Sequence, residues 1–359
     1  MNNLNFFLPE RIRKAAAEKY ALGVEGVLIS KPVNVVYLSD FKSSNCYILL
    51  TGKENFLITD FRYIEAAENN GAGLTPVKID RSFTVFDFIN STGIRSLAVE
   101  EEEITYSFFK ELSSKFRGTI KSAGGLTEKL RIIKDDYEMD CLKRAEALGD
   151  EAFDFLTDFV KEGMREKDIA FELEYFMRSR GAEGLSFDSI VVSGKRSSMP
   201  HGMPSEKKIE KGDFITFDFG CRVDGYCSDM TRNLLVGEPS KEQEKVYNIV
   251  KEAQSAALEA VSSGKNAADI DMTARDIIKY YGYGEYFGHG LGHGVGLEIH
   301  EAPTLSPGGN EILKPGMAVT VEPGIYLPGK FGVRIEDLVL VKETGCEVLS
   351  SSNKELIII

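Results

Sequence analysis

The chain lacks several things, and each lack removes a class of function. No window approaches about eighteen uninterrupted apolar residues, the length a membrane-spanning helix needs. The start, Met1-Asn2-Asn3-Leu4-Asn5-Phe6-Phe7-Leu8-Pro9, has no basic leader and no long apolar stretch, so no secretory signal is expected. Cysteines are five, odd in number and scattered: Cys46, Cys141, Cys221, Cys227 and Cys346. That pattern argues against a disulfide framework and for reduced thiols in a cytoplasm. Cys221 and Cys227 could be read as a thiolate metal site; small buried residues are the simpler reading. Cations are in deficit, 43 Lys and Arg against 56 Asp and Glu. The net charge of −13 disfavours nucleic acid or an anionic membrane as partner. Histidines number four, and all lie beyond residue 200.

What is present starts with size. At 359 residues, with 43% apolar and 28% charged content, a soluble globular protein of two domains is expected. Residues 1–123 alternate helices and strands. A basic amphipathic helix is predicted from Glu10 to Leu22, with Pro9 as its first-turn residue. Strands are predicted at 26–29, 47–50, 55–58 and 96–99, and Thr59 to Tyr63 opens a helix. Asp60, Arg62 and Tyr63 are taken as structural. A boundary is expected near Ser122-Ala123-Gly124-Gly125, with 124–359 as the second domain. In that domain, Leu130 to Lys134 leads into a long helix predicted to run through Phe155, and further helices are predicted near 166–180, 241–261 and 267–281.

The most informative feature is a segment written twice. Lys211-Gly212-Asp213-Phe214-Ile215-Thr216-Phe217-Asp218-Phe219-Gly220 aligns with Pro315-Gly316-Met317-Ala318-Val319-Thr320-Val321-Glu322-Pro323-Gly324. Thr216 falls on Thr320, Asp218 on Glu322 and Gly220 on Gly324. Each copy is followed by a second match, Gly225-x-x-x-Asp229 and Gly332-x-x-x-Glu336. Four carboxylates, Asp218, Asp229, Glu322 and Glu336, therefore hold equivalent places in two halves of one unit. All are embedded among Phe, Ile and Val, where a charged carboxylate is costly unless paired or bound to a cation. Between the halves lies Gly288-His289-Gly290-Leu291-Gly292-His293-Gly294. Converging acids with an imidazole suit Mn, Co, Fe(II) or Zn better than a thiolate-preferring metal. Two such ions side by side can activate water and polarise a carbonyl.

At these residues the chain resembles the pita-bread metallopeptidase family, which includes aminopeptidase P, prolidase, methionine aminopeptidase and the metal-free creatinase. The resemblance rests on four segments: Asp218 and Asp229 eleven apart; His289-Gly-Leu-Gly-His293 running on to His300-Glu301; Glu322-Pro323-Gly324; and Arg334-Ile335-Glu336-Asp337. It covers essentially the whole chain, since residues 1–123 are similar to the creatinase-type amino-terminal domain. It implies an α+β fold with a small α/β first domain and a pseudo-twofold pita-bread catalytic domain. It also implies five metal ligands, Asp218, Asp229, His293, Glu322 and Glu336, holding two divalent ions. Manganese is the first expectation, with cobalt, zinc and iron as alternatives. Glu322 is a ligand and also the expected proton carrier. His201 and His300 are expected to face the substrate. His289 is open between substrate contact and outer support, and Arg334 between holding a ligand and binding substrate. Tyr326 is expected near the substrate, and a homodimer is the family expectation. Two rival readings of the histidines fit poorly. The glycines around His293 argue against a helical His-Glu-x-x-His site, and Gly290-x-Gly292-x-Gly294 lacks the strand-before, helix-after setting of a nucleotide loop.

The implied activity is hydrolysis of the Xaa-Pro bond at the amino end of peptides, in the manner of aminopeptidase P. The alternative is prolidase, an Xaa-Pro dipeptidase. A catalytically silent peptide-binding relative would be expected to lose ligands, and none is lost. The amino-terminal domain counts against methionine aminopeptidase, and the intact ligands count against creatinase. A strict dipeptidase must recognise the carboxylate of the terminal proline, for which arginine is well suited. Residues 301–321 contain no arginine; Thr304 stands in Glu301-Ala302-Pro303-Thr304, and Lys314 is the only cation there. Cleavage of longer Xaa-Pro peptides at least as good as that of dipeptides is therefore expected.

Overall fold

The computed structural model describes residues 4–70 and 72–359. Met1 to Asn3, part of the stretch read above for a leader, lie outside the described residues. No helix among the described residues is long and apolar enough to cross a membrane. The chain divides after Arg131 into two compact units.

The first unit is a six-stranded mixed sheet flanked by helices. Its strands are β1 (Gly26–Ile29), β2 (Cys46–Leu50), β3 (Asn55–Asp60), β4 (Thr75–Ile79), β5 (Ser96–Val99) and β6 (Thr119–Ser122), in the order β4-β3-β2-β1-β5-β6. Its helices are α1 (Leu4–Leu22), α2 (Pro32–Ser39), α3 (Ile64–Glu68), α4 (Val85–Ser91), α5 (Tyr106–Lys115) and α6 (Leu126–Arg131). Three expectations need correction here. Helix α1 begins at Leu4, so Pro9 sits inside it. An internal proline costs about 3 kcal/mol, and the buried i, i+4 run of Leu4, Leu8 and Ile12 offsets it. Thr59 to Tyr63 does not open a helix. Asp60 accepts from the backbone N–H and the guanidinium of Arg62, which closes a turn, and α3 starts only at Ile64. The unit also runs past residue 123. Gly124 and Gly125 are left-handed turn residues, after which Arg131 donates to Asn34 and Asn34 to Glu128, keeping α6 with the first unit.

The second unit is built twice. The first copy is α7 (Asp136–Phe159), α8 (Glu166–Ser179), β7 (Gly184–Leu185), β8 (Ile190–Ser193), β9 (Phe214–Phe219), β10 (Cys221–Val223), β11 (Tyr226–Cys227) and β12 (Met230–Leu235). The second is α9 (Lys241–Ala260), α10 (Ala267–Tyr280), β13 (Gly292–Gly294), β14 (Glu301–Leu305), β15 (Ala318–Val321), β16 (Gly324–Leu327), β17 (Phe331–Arg334) and β18 (Asp337–Val341). Capping boxes, Asp135 with Glu138 and Ser240 with Gln243, start α7 and α9. The stretch from Leu130 leads, as expected, into the long helix α7, whose start Asp135 caps.

Strand alternation sorts each copy into two faces. In β9, Ile215, Phe217 and Phe219 join the apolar side chains of α7 and α8. In β15, Val319 and Val321 join those of α9 and α10, including the predicted stripe Val246, Val250, Ala253 and Ala257. The opposite faces carry Thr216 and Asp218 in one copy and Thr320 in the other. The aligned glycines Gly212 and Gly316 both take left-handed backbone, at φ +90° and +86°, which turns the chain into each strand at the same place.

Candidate metal centre

The four acids stand where the strand pairs of the two copies come together. Asp218 lies near the end of β9, Asp229 just before β12, Glu322 just after β15 and Glu336 just before β18. Antiparallel register puts Asp218 opposite Thr231 and Val321 opposite Asp337, so Glu322 and Glu336 follow at the next pair. A single bridge then links the copies: the Glu336 N–H donates to the Thr231 carbonyl at 3.2 Å, and the Thr231 hydroxyl donates to the Glu336 carboxylate at 2.6 Å. Buried Arg232 adds a second tie by pairing with Asp337 at 2.6 Å.

Asp229, His293 and Glu336 offer ligand atoms that all lie within 4.8 Å of one another. His293 Nε2 is 3.5 Å from Asp229 Oδ2 and 3.5 Å from Glu322 Oε1. These residues and Asp218 line one cavity of about 430 Å³, together with His201, His289, His300, Thr304 and Arg334. That volume falls within the roughly 300–1,000 Å³ of small-ligand sites.

The electrostatics are those of acceptors facing acceptors. Burial pushes the Asp229 and Glu336 carboxyls well above their ordinary range, and the charges of their acidic neighbours push the same way. Burial raises Glu322 to about 8, with Arg334 opposing and Asp218 adding to the rise. Asp218 is also raised by burial, against the pull of Arg334. His293 Nδ1 lies 3.1 Å from the Gly294 carbonyl, which can only accept. Nδ1 therefore carries the hydrogen, and Nε2 turns a bare lone pair toward two carboxylates. Burial, with His300 nearby, holds the His293 pKa down to about 4, so the ring is neutral at pH 7. Asp218 Oδ1 is buried with no hydrogen-bond partner among the described residues. This donor set of carboxylate oxygens and one imidazole nitrogen fits a divalent cation, which would resolve every one of these conflicts.

Around the acids runs a hydrogen-bonded frame. Arg334, last residue of β17, donates from Nη2 to Asp218 at 2.5 Å, from Nε to Thr231 at 3.0 Å and from Nη1 to the Tyr326 hydroxyl at 2.8 Å. Tyr326 lies 2.8 Å from His289 Nε2, and His289 Nδ1 lies 2.8 Å from the Gly290 carbonyl. The carbonyl fixes the hydrogen on Nδ1, so the Tyr326 hydroxyl donates to Nε2. Burial lowers the His289 pKa to about 4 and keeps it in this neutral form. Tyr326, expected near the substrate, is buried behind His289 and Arg334 and outside the cavity lining. His201 and His300 are exposed on the cavity wall, with the His300 ring 4.3 Å from that of His293. Thr320 accepts from the His293 N–H at 3.0 Å and donates to Glu322 at 3.3 Å.

Sequence reasoning missed Glu146 of α7. It is fully buried and accepts from the Asp229 N–H at 2.7 Å, setting the backbone of that acid. Its signal was an acid on the apolar stripe of Leu142, Gly149 and Phe153. Cys221 and Cys227 are buried free thiols, and burial pushes Cys221 up to about 12, which makes it a poor thiolate ligand.

Residues 140–343 match metallopeptidase family M24, and residues 10–133 match the creatinase/prolidase N-terminal domain. The chain belongs to metallopeptidase family M24. Among M24 relatives, the Xaa-Pro dipeptidase of Pyrococcus furiosus is 39% identical over 353 residues, covering 98% of this chain and all of its own. The solved structure of an Xaa-Pro dipeptidase from Bacillus anthracis is 43% identical, with a TM-score of 0.95 over 98% of this chain and all of its own. An X-Pro aminopeptidase from Thermotoga maritima is 39% identical, with a TM-score of 0.89 over 96% of this chain and all of its own. The two-domain α+β pita-bread architecture expected from the sequence is thus that of the M24 family, and the protein is a metallopeptidase.

Proposed function

We propose that the protein is an Xaa-Pro dipeptidase, with Asp218, Asp229, His293, Glu322 and Glu336 holding two divalent metal ions. The observation that carries the metal assignment is the bare lone pair of His293 Nε2 aimed at Asp229 and Glu322. The dipeptidase preference leans on the named relatives, most of which are Xaa-Pro dipeptidases or prolidases. Manganese is the proposed metal, by donor type. A cytoplasmic setting is supported by five unpaired thiols, and a homodimer is proposed from the family resemblance alone.

Bound at these residues, the ions would supply Lewis acidity to the scissile carbonyl and lower the pKa of the attacking water. The protein's own groups do the rest. Glu322, held by Thr320, takes a proton from that water and passes it to the leaving proline nitrogen. His201 and His300 donate N–H groups to the oxygen that becomes negative. Arg334 fixes Asp218, and through Tyr326 it fixes His289, so the cavity wall is set before substrate arrives. Replacing His201 or His300 by alanine is expected to leave metal content unchanged and to lower kcat roughly 10²–10³-fold; metal analysis alongside steady-state rates checks both parts.

A second reading, aminopeptidase P, is favoured by one observation. Segment 301–321 has no arginine, and Arg334, the one cationic side chain among the cavity-lining residues, already serves Asp218, Thr231 and Tyr326. Rates on Met-Pro and Met-Pro-Ala decide between them. A charge-assisted contact to the terminal carboxylate is worth about 1.5–3 kcal/mol, so the dipeptide should lead by roughly tenfold or more in kcat/KM. Equal or better cleavage of the tripeptide would establish the aminopeptidase instead.

A further inference from the structure

One acid on the cavity wall has no task in the chemistry above. Asp188 lies on the connection from β7 to β8, two residues before Ile190, which pairs in register with Asp218. Asp188 and Ile190 both line the cavity; Ser189 between them is buried away from it. Asp229 and Glu336 are buried and Asp218 and Glu322 half-buried, whereas Asp188 is exposed, and no hydrogen bond or ion pair reaches it among the described residues. It is an exposed acid in the lining of a cavity whose other acids are buried or half-buried. The same lining includes the apolar side chains of Phe187, next to it in the chain, and of Ile190, Met203 and Ile299.

We propose that Asp188 is a specificity residue that selects substrates whose residue before proline is lysine or arginine. This selectivity presupposes the Xaa-Pro reading and adds to it the class of side chain preferred. A long cationic side chain matches both features of the lining: its methylene stem can pack on the apolar residues, and its charged head can meet the exposed carboxyl of Asp188 while staying in water. The substrate's own ammonium group is the wrong length for this contact. It sits two bonds from the scissile carbon and so belongs among the buried and half-buried acids, whereas the exposed carboxyl is met by a longer arm.

The test compares kcat/KM for Arg-Pro and Met-Pro, whose side chains are both long and unbranched and differ in charge. An exposed ion pair changes such a ratio by about 2–5-fold. The Arg-Pro to Met-Pro ratio should fall by that factor in Asp188→Asn. In Asp188→Lys it should fall further, with Glu-Pro gaining over Gln-Pro. In the wild type the ratio should shrink as salt rises, because the pair is exposed. The salt series needs no variant, and the charge reversal moves a readout that a structural role for Asp188 would not. A ratio unchanged by both substitutions and by salt overturns the proposal, as does a wild type that cleaves Met-Pro and rejects Arg-Pro. If the wild type hydrolyses no Xaa-Pro substrate at all, the Xaa-Pro reading itself fails, and this selectivity fails with it.

Discussion

Stripping the protein of divalent metal is expected to abolish peptide hydrolysis and to reverse the usual pH dependence of its stability. The loss of rate should be on the order of 10³-fold or more, since Lewis-acid stabilisation supplies several kcal/mol of the barrier lowering. The stability effect follows from the acids left behind. In the metal-free fold Glu322 titrates near 8, Asp229 and Glu336 are raised well above their ordinary range, and buried Glu146 is raised to about 8. The folded chain therefore holds protons that the unfolded chain has already released, and stability falls as pH rises toward 8. Below about 6.5 two other groups oppose this. His289 and His293, both lowered to about 4, stay neutral in the fold while their unfolded counterparts take protons, so they cost stability as pH drops. Between pH 6.5 and 8 the unfolded imidazoles are at most half protonated and fall away as pH rises, so the more numerous raised carboxylates set the sign of the slope. Calorimetry of the chelated protein should show the transition of the second unit at a Tm roughly 5 °C or more higher at pH 6.5 than at pH 8. The metal-loaded protein should lack that slope, because bound cations keep the acids ionised and metal uptake releases their protons. A metal-free Tm that climbs with pH over this window would contradict the electrostatic account.

Glu322→Gln should be the most damaging single substitution in the site, with turnover lowered by roughly 10²–10⁴-fold from the lost proton carrier alone and further by the weaker metal hold of a neutral amide. The fold should survive. In the metal-free state the variant should be at least as stable as the wild type at pH 8, because one of four crowded acids has gone. Thr320 would still have an acceptor in the amide oxygen. Rate, metal content and Tm measured on the same preparation separate these effects. Near-normal turnover with metal bound would remove Glu322 from the role assigned to it.

The sequence displayed the frame of this site because the frame is a repetition. Gly212 and Gly316, Thr216 and Thr320, and Asp218 and Glu322 align by eye, and strand alternation alone places the acids opposite the apolar residues that pack on helices. The helices α8, α9 and α10 fall where the sequence placed them, α9 by the period of Val246, Val250, Ala253 and Ala257. Other parts depend on atoms brought together from distant segments. The chain of contacts from Arg334 through Tyr326 to His289 crosses three stretches of sequence, and no spacing marks which nitrogen meets which oxygen. The substrate preference was read from the missing arginine in a single stretch, 301–321, with Arg334 left as a cation that could stand in for it. The named relatives lean the other way, and the fold engages Arg334 with Asp218, Thr231 and Tyr326. At α1 and at Asp60, local signals lost to burial and to a side-chain-closed turn.

The register of the two copies has a consequence for how such a chain could arise. In the first copy Ser193 pairs with Ile215 and Val192 with Thr216. In the second, Gly294 pairs with Val319, the counterpart of Ile215, and His293 follows at Thr320. His293 therefore occupies the place that Val192 holds in the other copy. A half-length chain pairing with itself about a twofold axis would carry valine on both sides or histidine on both. A single imidazole on one flank of the acid cluster is closed to such a symmetric pair and open to a fused chain, in which each copy is free to change alone. Fusion also makes the cluster independent of protein concentration, since each half always has the other tethered beside it.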